Sequence, residues 1–302
     1  MVSIQQLQEE LSGIQSDVSL KKYSTFRIGG NAKYFFEAET KTDLISAVKL
    51  AKEFKIPFYV IGGGSKLLIS DNGFDGLVIK TGNKEIKING EEIEAGAGLS
   101  MNQLIRLTLE EGLTGVEWFA GIPGTVGGAI SGNAGAFDGS MQDIITSVTA
   151  FDLEKQQEVI LKKEECLFGY RTSIFKQNPN LIILSCKISL KKGDKEEVQE
   201  KMSEYFAHRR KYHPLQYPSV GCIFKNPILE NGEEVSAWKI IDDCDLSGRR
   251  VGDVEVSKKH SNFIVNLGEG TAKDVKELIK IIKDTVKEKT GIEIEEEVRY
   301  LQ

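Results

Sequence analysis

The 302-residue sequence predicts an α+β fold in two domains. Three observations predict it. Short strand-like runs outnumber helical ones over the first two thirds of the chain, which favours α+β over a doubly wound sheet. The length suits two ordinary domains, each with a buried core. Near residue 194 the pattern changes to a long polar helix that ends in a basic cluster and is followed by Pro214 and Pro218. The domain boundary is expected there, giving 1–193 and 194–302. No period of 20 to 50 residues recurs, so a solenoid is excluded.

Ile4, Leu7, Leu11 and Ile14 recur at helical spacing and predict a short amphipathic helix over 4–14. DLISAVKLAKEF (43–54) places Leu44, Ala47, Val48 and Ala51 on one helical face, with Thr40 or Thr42 as cap and Pro57 beyond its end. FYVIGGG is a buried strand running into three glycines. GLVIK, EIKI and EEIEAGA follow as short strands between 74 and 97. Ser100 caps a helix over 101–111 that Gly112 closes. SVTAFDL, QEVILKK and LIILSCKISLKK read as strands, and KEEVQEKMSEYFAHRRKYHP as a helix. In the last third VSAWKIIDD is helical and NFIVNL a strand. Thr271 and Asp274 then open a helix with Val275, Leu278, Ile279, Ile282 and Val286 on one face. Gly291 ends it, and IEIEEEVRYL closes the chain as a strand.

A net charge of −6 argues against a nucleic-acid footprint. Four widely spaced cysteines, no CxxC and three histidines argue against a zinc site. MVSIQQLQEE lacks the basic and apolar regions of a signal peptide, so a reducing compartment with free thiols is expected. The uncharged segment 118–137 is long enough to span a bilayer, but its glycines, Pro123 and polar residues make it a poor spanning helix, and no membrane insertion is expected.

Two glycine segments invite a ligand. IGGGSKLL (61–68) reads either as a tight turn between strands or as a loop offering backbone N–H groups to an anion. It is neither a P-loop nor a GxGxxG turn. GIPGTVGGAISGNAGAF (121–137) reads either as a packed interior turn or as backbone laid against a flat, extended group such as a flavin dinucleotide. PSVGCIFKNP (218–227) adds a cysteine that is either a small core filler or a proton donor beside a Lys-Asn pair. A thiol with an ordinary pKa of about 8.5 is largely protonated at neutral pH and is able to donate.

STFRIGGNA (24–32), GGGSKLLISDNG (62–73), EWFAGIPGTVGGAISGNAGAF (117–137), GYRTSIF (169–175), PSVGCIFKNP, KHSNFIVN (259–266) and a final EVR (297–299) occur in this order. Together they resemble the UDP-N-acetylenolpyruvoylglucosamine reductase family (MurB) of peptidoglycan precursor synthesis, in its shorter, type II form. The resemblance implies a vanillyl-alcohol-oxidase/PCMH-type FAD-binding domain of two α+β subdomains over 1–193, preceded by the N-terminal helix. A C-terminal α+β substrate domain, 194–302, would contribute the final strand to the active site. It also implies a cytoplasmic enzyme, monomeric or weakly oligomeric, with non-covalent FAD and NADPH as electron donor. Hydride would pass from flavin N5 to UDP-N-acetylglucosamine enolpyruvate, giving UDP-N-acetylmuramate, in support of cell-wall biogenesis, cell shape and division. The alternatives are another FAD oxidoreductase of the same cofactor fold, or a non-catalytic flavin- or nucleotide-sugar-binding regulator.

By motif match, Arg171 and Glu297 stabilise the charge that develops on the enolpyruvyl group, and Cys222 is the proton donor. The cofactor is assigned to Arg27, to Gly62, Gly63, Gly64, Ser65, Lys66 and Leu67, and to two runs of the second glycine segment. These are Gly121, Pro123, Gly124, Thr125, Gly127, Gly128 and Ala129, and then Gly132, Asn133, Ala134 and Gly135. Tyr170, Lys225, Asn226, Arg210 and His260 are assigned to substrate. Each has an ordinary reading as well: Arg171 as a surface arginine, Glu297 as part of a solvated acidic run, and the HRRK cluster (208–211) as complement to a helix dipole. Two positions depart from the family pattern, Cys222 where serine is usual and Lys66 where asparagine is usual.

Overall fold

The computed structural model describes residues 4–137 and 139–302; Met1, Val2 and Ser3 of the N-terminal stretch, and Asp138, lie outside the described residues. Its helices begin where capping side chains stand. Thr40, not Thr42, caps helix Lys41–Glu53, accepting from the Asp43 N–H while the Asp43 carboxylate accepts from Thr40 N–H. Ser100 and Gln103 close the same reciprocal box at Met101–Glu110, and Thr271 and Asp274 at Ala272–Thr290. Such caps satisfy two orphan N–H groups each and contribute about 1 kcal/mol. Gly291 ends the last helix with φ +74, a left-handed conformation that suits glycine. The N-terminal helix is shorter than its apolar spacing predicts: it runs Ile4–Glu10, yet Leu11 and Ile14 remain buried beyond it.

The chain forms two compact units that do not follow the contiguous division expected at 194. The first comprises residues up to Ser16, Tyr34–Gly63 and Gly76–His208; the second comprises Asp17–Lys33, Gly64–Asp75 and Arg209–Gln302. Helix Lys195–Tyr212 stays with the first unit as far as His208 because Met202 and Tyr205 pack on that unit's core.

In the first unit, strand Phe58–Ile61 lies parallel to Leu77–Lys80 and delivers the chain into the triple glycine. A five-stranded antiparallel sheet runs in the order Gln157–Lys162, Ile145–Asp152, Leu181–Ser189, Glu92–Gly96 and Ile86–Asn89. Two apolar cores lie on it. Ile93, Met101, Leu104, Phe119, Ile130 and Cys186 belong to one, and Leu7, Leu44, Val48, Ile79, Phe151 and Leu184 to the other. The uncharged segment 118–137 folds as short pieces, with only Val126–Ser131 as α-helix. Among the described residues no helix is long and apolar enough to cross a membrane.

In the second unit, helix Ala272–Thr290 buries the five apolar residues its spacing predicts against Phe26, Ile223, Phe224, Ile240 and Ile264. The closing segment is a strand only over Arg299–Leu301, parallel to Leu67–Ile69. Residues 295–297 bond instead to the Cys222 segment: Lys225 N–H donates to Glu295 O, and Glu297 N–H to Ile223 O. One extended run thus serves two partners in turn, which a strand read from alternation alone does not disclose.

Candidate active site

Each unit carries its own part of the expected set of site residues. In the first, the two glycine segments touch. A Cβ on Gly63 would stand 2.7 Å from Gly124 Cα, and one on Gly62 would fall on the Thr125 hydroxyl. Gly63 is required by backbone-on-backbone packing, and Gly62 by the Thr125 side chain. Gly128 and Gly132 differ: a Cβ there would meet nothing nearer than 3.5 Å and 3.7 Å, so the glycines leave a bare backbone surface that packing does not demand. Thr125 caps Val126–Ser131 by accepting from Gly128 N–H.

The GYRTSIF motif is docked on this segment. Gly169 and Thr172 exchange both backbone hydrogen bonds, at 3.1 and 3.2 Å, so Tyr170 and Arg171 form the tip of a two-residue turn. Arg171 adopts φ +55. The turn is held by Asn133 Nδ2 donating to Gly169 O (2.9 Å), Ser173 Oγ donating to Ser131 O (2.8 Å) and Lys176 Nζ donating to Arg171 O (2.9 Å). Arg171 is half-buried beside the exposed Tyr170 ring, 5.3 Å from its centroid. An arginine on a tip so pinned is a fixed cation and not a loose surface side chain.

Several residues assigned to the cofactor are themselves core. Ala129 and Leu67 are buried, so only their main chain is available to a ligand; Ala134 packs half-buried on the same core. Pro123 is exposed, and Gly121 and Gly135 lie half-buried along the segment.

In the second unit, Gly64 takes φ +64, and a Cβ there would fall on the Tyr23 carbonyl. Thr25 donates its N–H to Gly64 O (3.3 Å), while its buried Oγ1 has no hydrogen-bond partner among the described residues. Arg27 is exposed with φ +55, two residues on. Ser65 is half-buried and leads into Lys66, whose ammonium meets two of the residues expected to be catalytic. Lys66 Nζ lies 3.0 Å from Glu297 Oε1 and donates to the Cys222 carbonyl at 2.7 Å. Glu297 is only 10% exposed. The acidic run is sorted by its partners. Glu295 pairs with Lys225 (2.6 Å) and Glu296 with Lys283 (2.8 Å) and the Tyr300 hydroxyl, leaving Glu297 to Lys66. Extended backbone sends alternate side chains to opposite faces, so Glu295 and Glu297 share a face and Glu296 does not.

Cys222 is the half-buried one of four free thiols. Burial pushes Cys166 up to about 11 and raises Cys186 and Cys244 as well, marking those three as inert core fillers. The Cys222 segment is clamped by Asn262, 3% exposed: its Oδ1 accepts from Phe224 N–H and its Nδ2 donates to Phe224 O, both at 2.9 Å. Asn226 is spent on local order, with Oδ1 accepting from Ala237 N–H and Nδ2 donating to Glu234. His260 packs against His213, Phe263 and Trp238; burial lowers its pKa to about 4, and its Nδ1 is buried without a partner. In the basic cluster the buried residue is Arg209, whereas Arg210 is exposed and uses its carbonyl to accept from Lys259.

Asn262 is the residue that sequence reasoning passed over, and within the HRRK cluster Arg210 was assigned in place of the buried Arg209. Asn262 stands inside KHSNFIVN, just before the buried strand Ile264–Asn266, and a polar residue about to enter a core is the signal that marks it. Arg209 carries no local signal within four consecutive cationic or titratable residues.

Bare glycine backbone on two abutting segments suits a flat dinucleotide, and the class of protein it points to is an FAD-dependent oxidoreductase. Residues 32–156 match the family model of an FAD binding domain, and residues 213–301 that of the UDP-N-acetylenolpyruvoylglucosamine reductase C-terminal domain. The UDP-N-acetylenolpyruvoylglucosamine reductase of Alkaliphilus oremlandii is 41% identical over 288 residues, covering 94% of this chain and 92% of the relative. That of Clostridium novyi is 37% identical over 290 residues, covering 95% and 92%. The crystal structure of the Thermus caldophilus enzyme (MurB) aligns with TM-score 0.80 at 35% identity, covering 94% of this chain and 98% of that one. The chain belongs to the UDP-N-acetylenolpyruvoylglucosamine reductase family.

Proposed function

We propose that this protein reduces UDP-N-acetylglucosamine enolpyruvate to UDP-N-acetylmuramate, with NADPH as donor, in the cytoplasm. The observation that carries the reading is the convergence of two of the three expected catalytic residues on one lysine: Lys66 touches both Glu297 and the main chain of Cys222. The third, Arg171, stands on a turn that three side-chain hydrogen bonds hold in place. FAD, when bound, supplies two-electron hydride transfer. The main chain of Gly62–Ser65 and of Thr125–Gly132 would hold it, with Thr25 Oγ1 as a further polar contact.

The chain's own groups do the rest. Addition of hydride to one alkene carbon leaves negative charge on its neighbour and, by conjugation, on the carboxylate; the Arg171 guanidinium stabilises that charge. The neighbouring carbon takes its proton from Cys222 Sγ. Glu297, held by Lys66, orients the enolpyruvyl group. Lys225 and the orphaned Nδ1 of His260 contact the remainder of the substrate, with Arg209 a better candidate than Arg210 for the pyrophosphate because it is buried. No separate nicotinamide motif occurs in the sequence, which supports alternate occupation of one site by NADPH and substrate. A flavin domain, a C-terminal substrate domain and a monomeric or weakly oligomeric state are part of the same proposal.

The test is an anaerobic titration of the aerobically purified protein. NADPH bleaches the flavin absorbance, and UDP-N-acetylglucosamine enolpyruvate restores it. Arg171→Ala and Cys222→Ala should each still bleach but recover about 100-fold more slowly or worse. Recovery of either variant at near wild-type rate overturns the assignment, and bleaching of the wild type without recovery removes this substrate.

A further inference from the structure

Lys66 stands where the glycine loop leads from the cofactor's expected phosphates toward the closing segment. Its charge would suit a pyrophosphate, but its side chain is already committed. The ammonium sits 3.0 Å from Glu297 Oε1 and 2.7 Å from the Cys222 carbonyl oxygen. We propose that Lys66 is a positioning residue for the reduction step, fixing the Glu297 carboxylate and the main chain of Cys222 relative to one another. This rests on the functional reading above and deepens it.

The main chain separates this role from a merely structural one. Arg299 N–H donates to Lys66 O, Glu297 N–H to Ile223 O, and Arg299–Leu301 pairs with Leu67–Ile69. The backbone of the last segment is therefore held without the Lys66 side chain. What the side chain adds is control of two groups: a carboxylate that is 10% exposed, and the peptide that carries the thiol. The neighbouring carboxylates cannot substitute, since Glu295 is engaged by Lys225 and Glu296 by Lys283 and Tyr300. A carboxylate and a proton donor acting on one small group need their separation set to a fraction of an ångström, and a misplacement near 1 Å costs on the order of 100-fold.

The test compares wild type, Lys66→Met, Lys66→Gln and Lys66→Arg in four measurements: FAD affinity of the apoprotein, flavin reduction by NADPH, reoxidation by UDP-N-acetylglucosamine enolpyruvate, and backbone hydrogen exchange. In Lys66→Met, reoxidation should slow about ten- to a hundredfold. Reduction and FAD affinity should change far less, and exchange should accelerate in segment 220–226, whose Cys222 carbonyl loses its donor, while 294–299 stays protected. Arg, which also has donors for both oxygens, should recover most of the reoxidation rate. Gln takes the place of Met if that variant does not fold. Unchanged reoxidation and exchange overturn the proposal. A tenfold loss of FAD affinity with reoxidation intact overturns it too, in favour of a phosphate anchor. Wild-type protein that the enolpyruvate never reoxidises sinks the functional reading instead, and hydrogen exchange then decides the positioning role by itself.

Discussion

His260 is predicted to be neutral across the physiological range, and the consequence is measurable. Its ring packs against His213, Phe263 and Trp238, and burial lowers its pKa from 6.5 to about 4. The unfolded chain therefore binds a proton near pH 6.5 that the folded chain refuses until about pH 4, and stability falls as pH drops through that window. At pH 5 the unfolded form is nearly fully protonated at this position and the folded form barely so, which costs about 2 kcal/mol; the full difference approaches about 3 kcal/mol below pH 4. Only three histidines occur, so ring resonances of isotopically labelled protein can be assigned from His260→Phe and one other single variant. The His260 signal should titrate near pH 4, and the stability difference between wild type and His260→Phe in urea should shift by about 2 kcal/mol between pH 7.5 and pH 5. A His260 midpoint at or above 6, or a pH-independent difference, would refute the reasoning. If it holds, any contact His260 makes with substrate is that of a neutral hydrogen-bonding group.

Two further outcomes follow from the site. Gly63→Ala puts a methyl group 2.7 Å from the Gly124 main chain, where neither backbone is free to yield; the purified protein should lose flavin absorbance while Gly128→Ala, with no neighbour inside 3.5 Å, retains its fold. Asn262→Leu leaves both the N–H and C=O of buried Phe224 without partners, so it should lower stability by about 2–4 kcal/mol in denaturant titration. Stability within 0.5 kcal/mol of wild type would show that water or other groups replace the clamp.

Local chemistry was legible in the sequence wherever the deciding contacts are local. The Ser100 cap, the Thr271–Asp274 box, the glycine C-cap at Gly291 and the apolar face of the last helix were each read at their observed positions. Where two local solutions competed, as with Thr40 and Thr42, only the backbone geometry chose. The N-terminal helix was read too long because Leu11 and Ile14 are buried outside any helix, and burial without helix leaves the same apolar spacing. The domain boundary was placed at a change of composition, whereas the compact units exchange short segments, Asp17–Lys33 and Gly64–Asp75, that carry no compositional mark.

By itself the sequence determined the principal helices, the family and the candidate residues, because helix periodicity, capping and motif order are properties of neighbours along the chain. Tertiary structure decided the partners: that Lys66 serves Glu297 and Cys222, that the three consecutive glutamates divide among Lys225, Lys283 and Lys66, and that Asn262 clamps Phe224. Hydrogen bonds and ion pairs act over about 3 Å, and no spacing along the chain encodes which remote side chain folding brings within that distance.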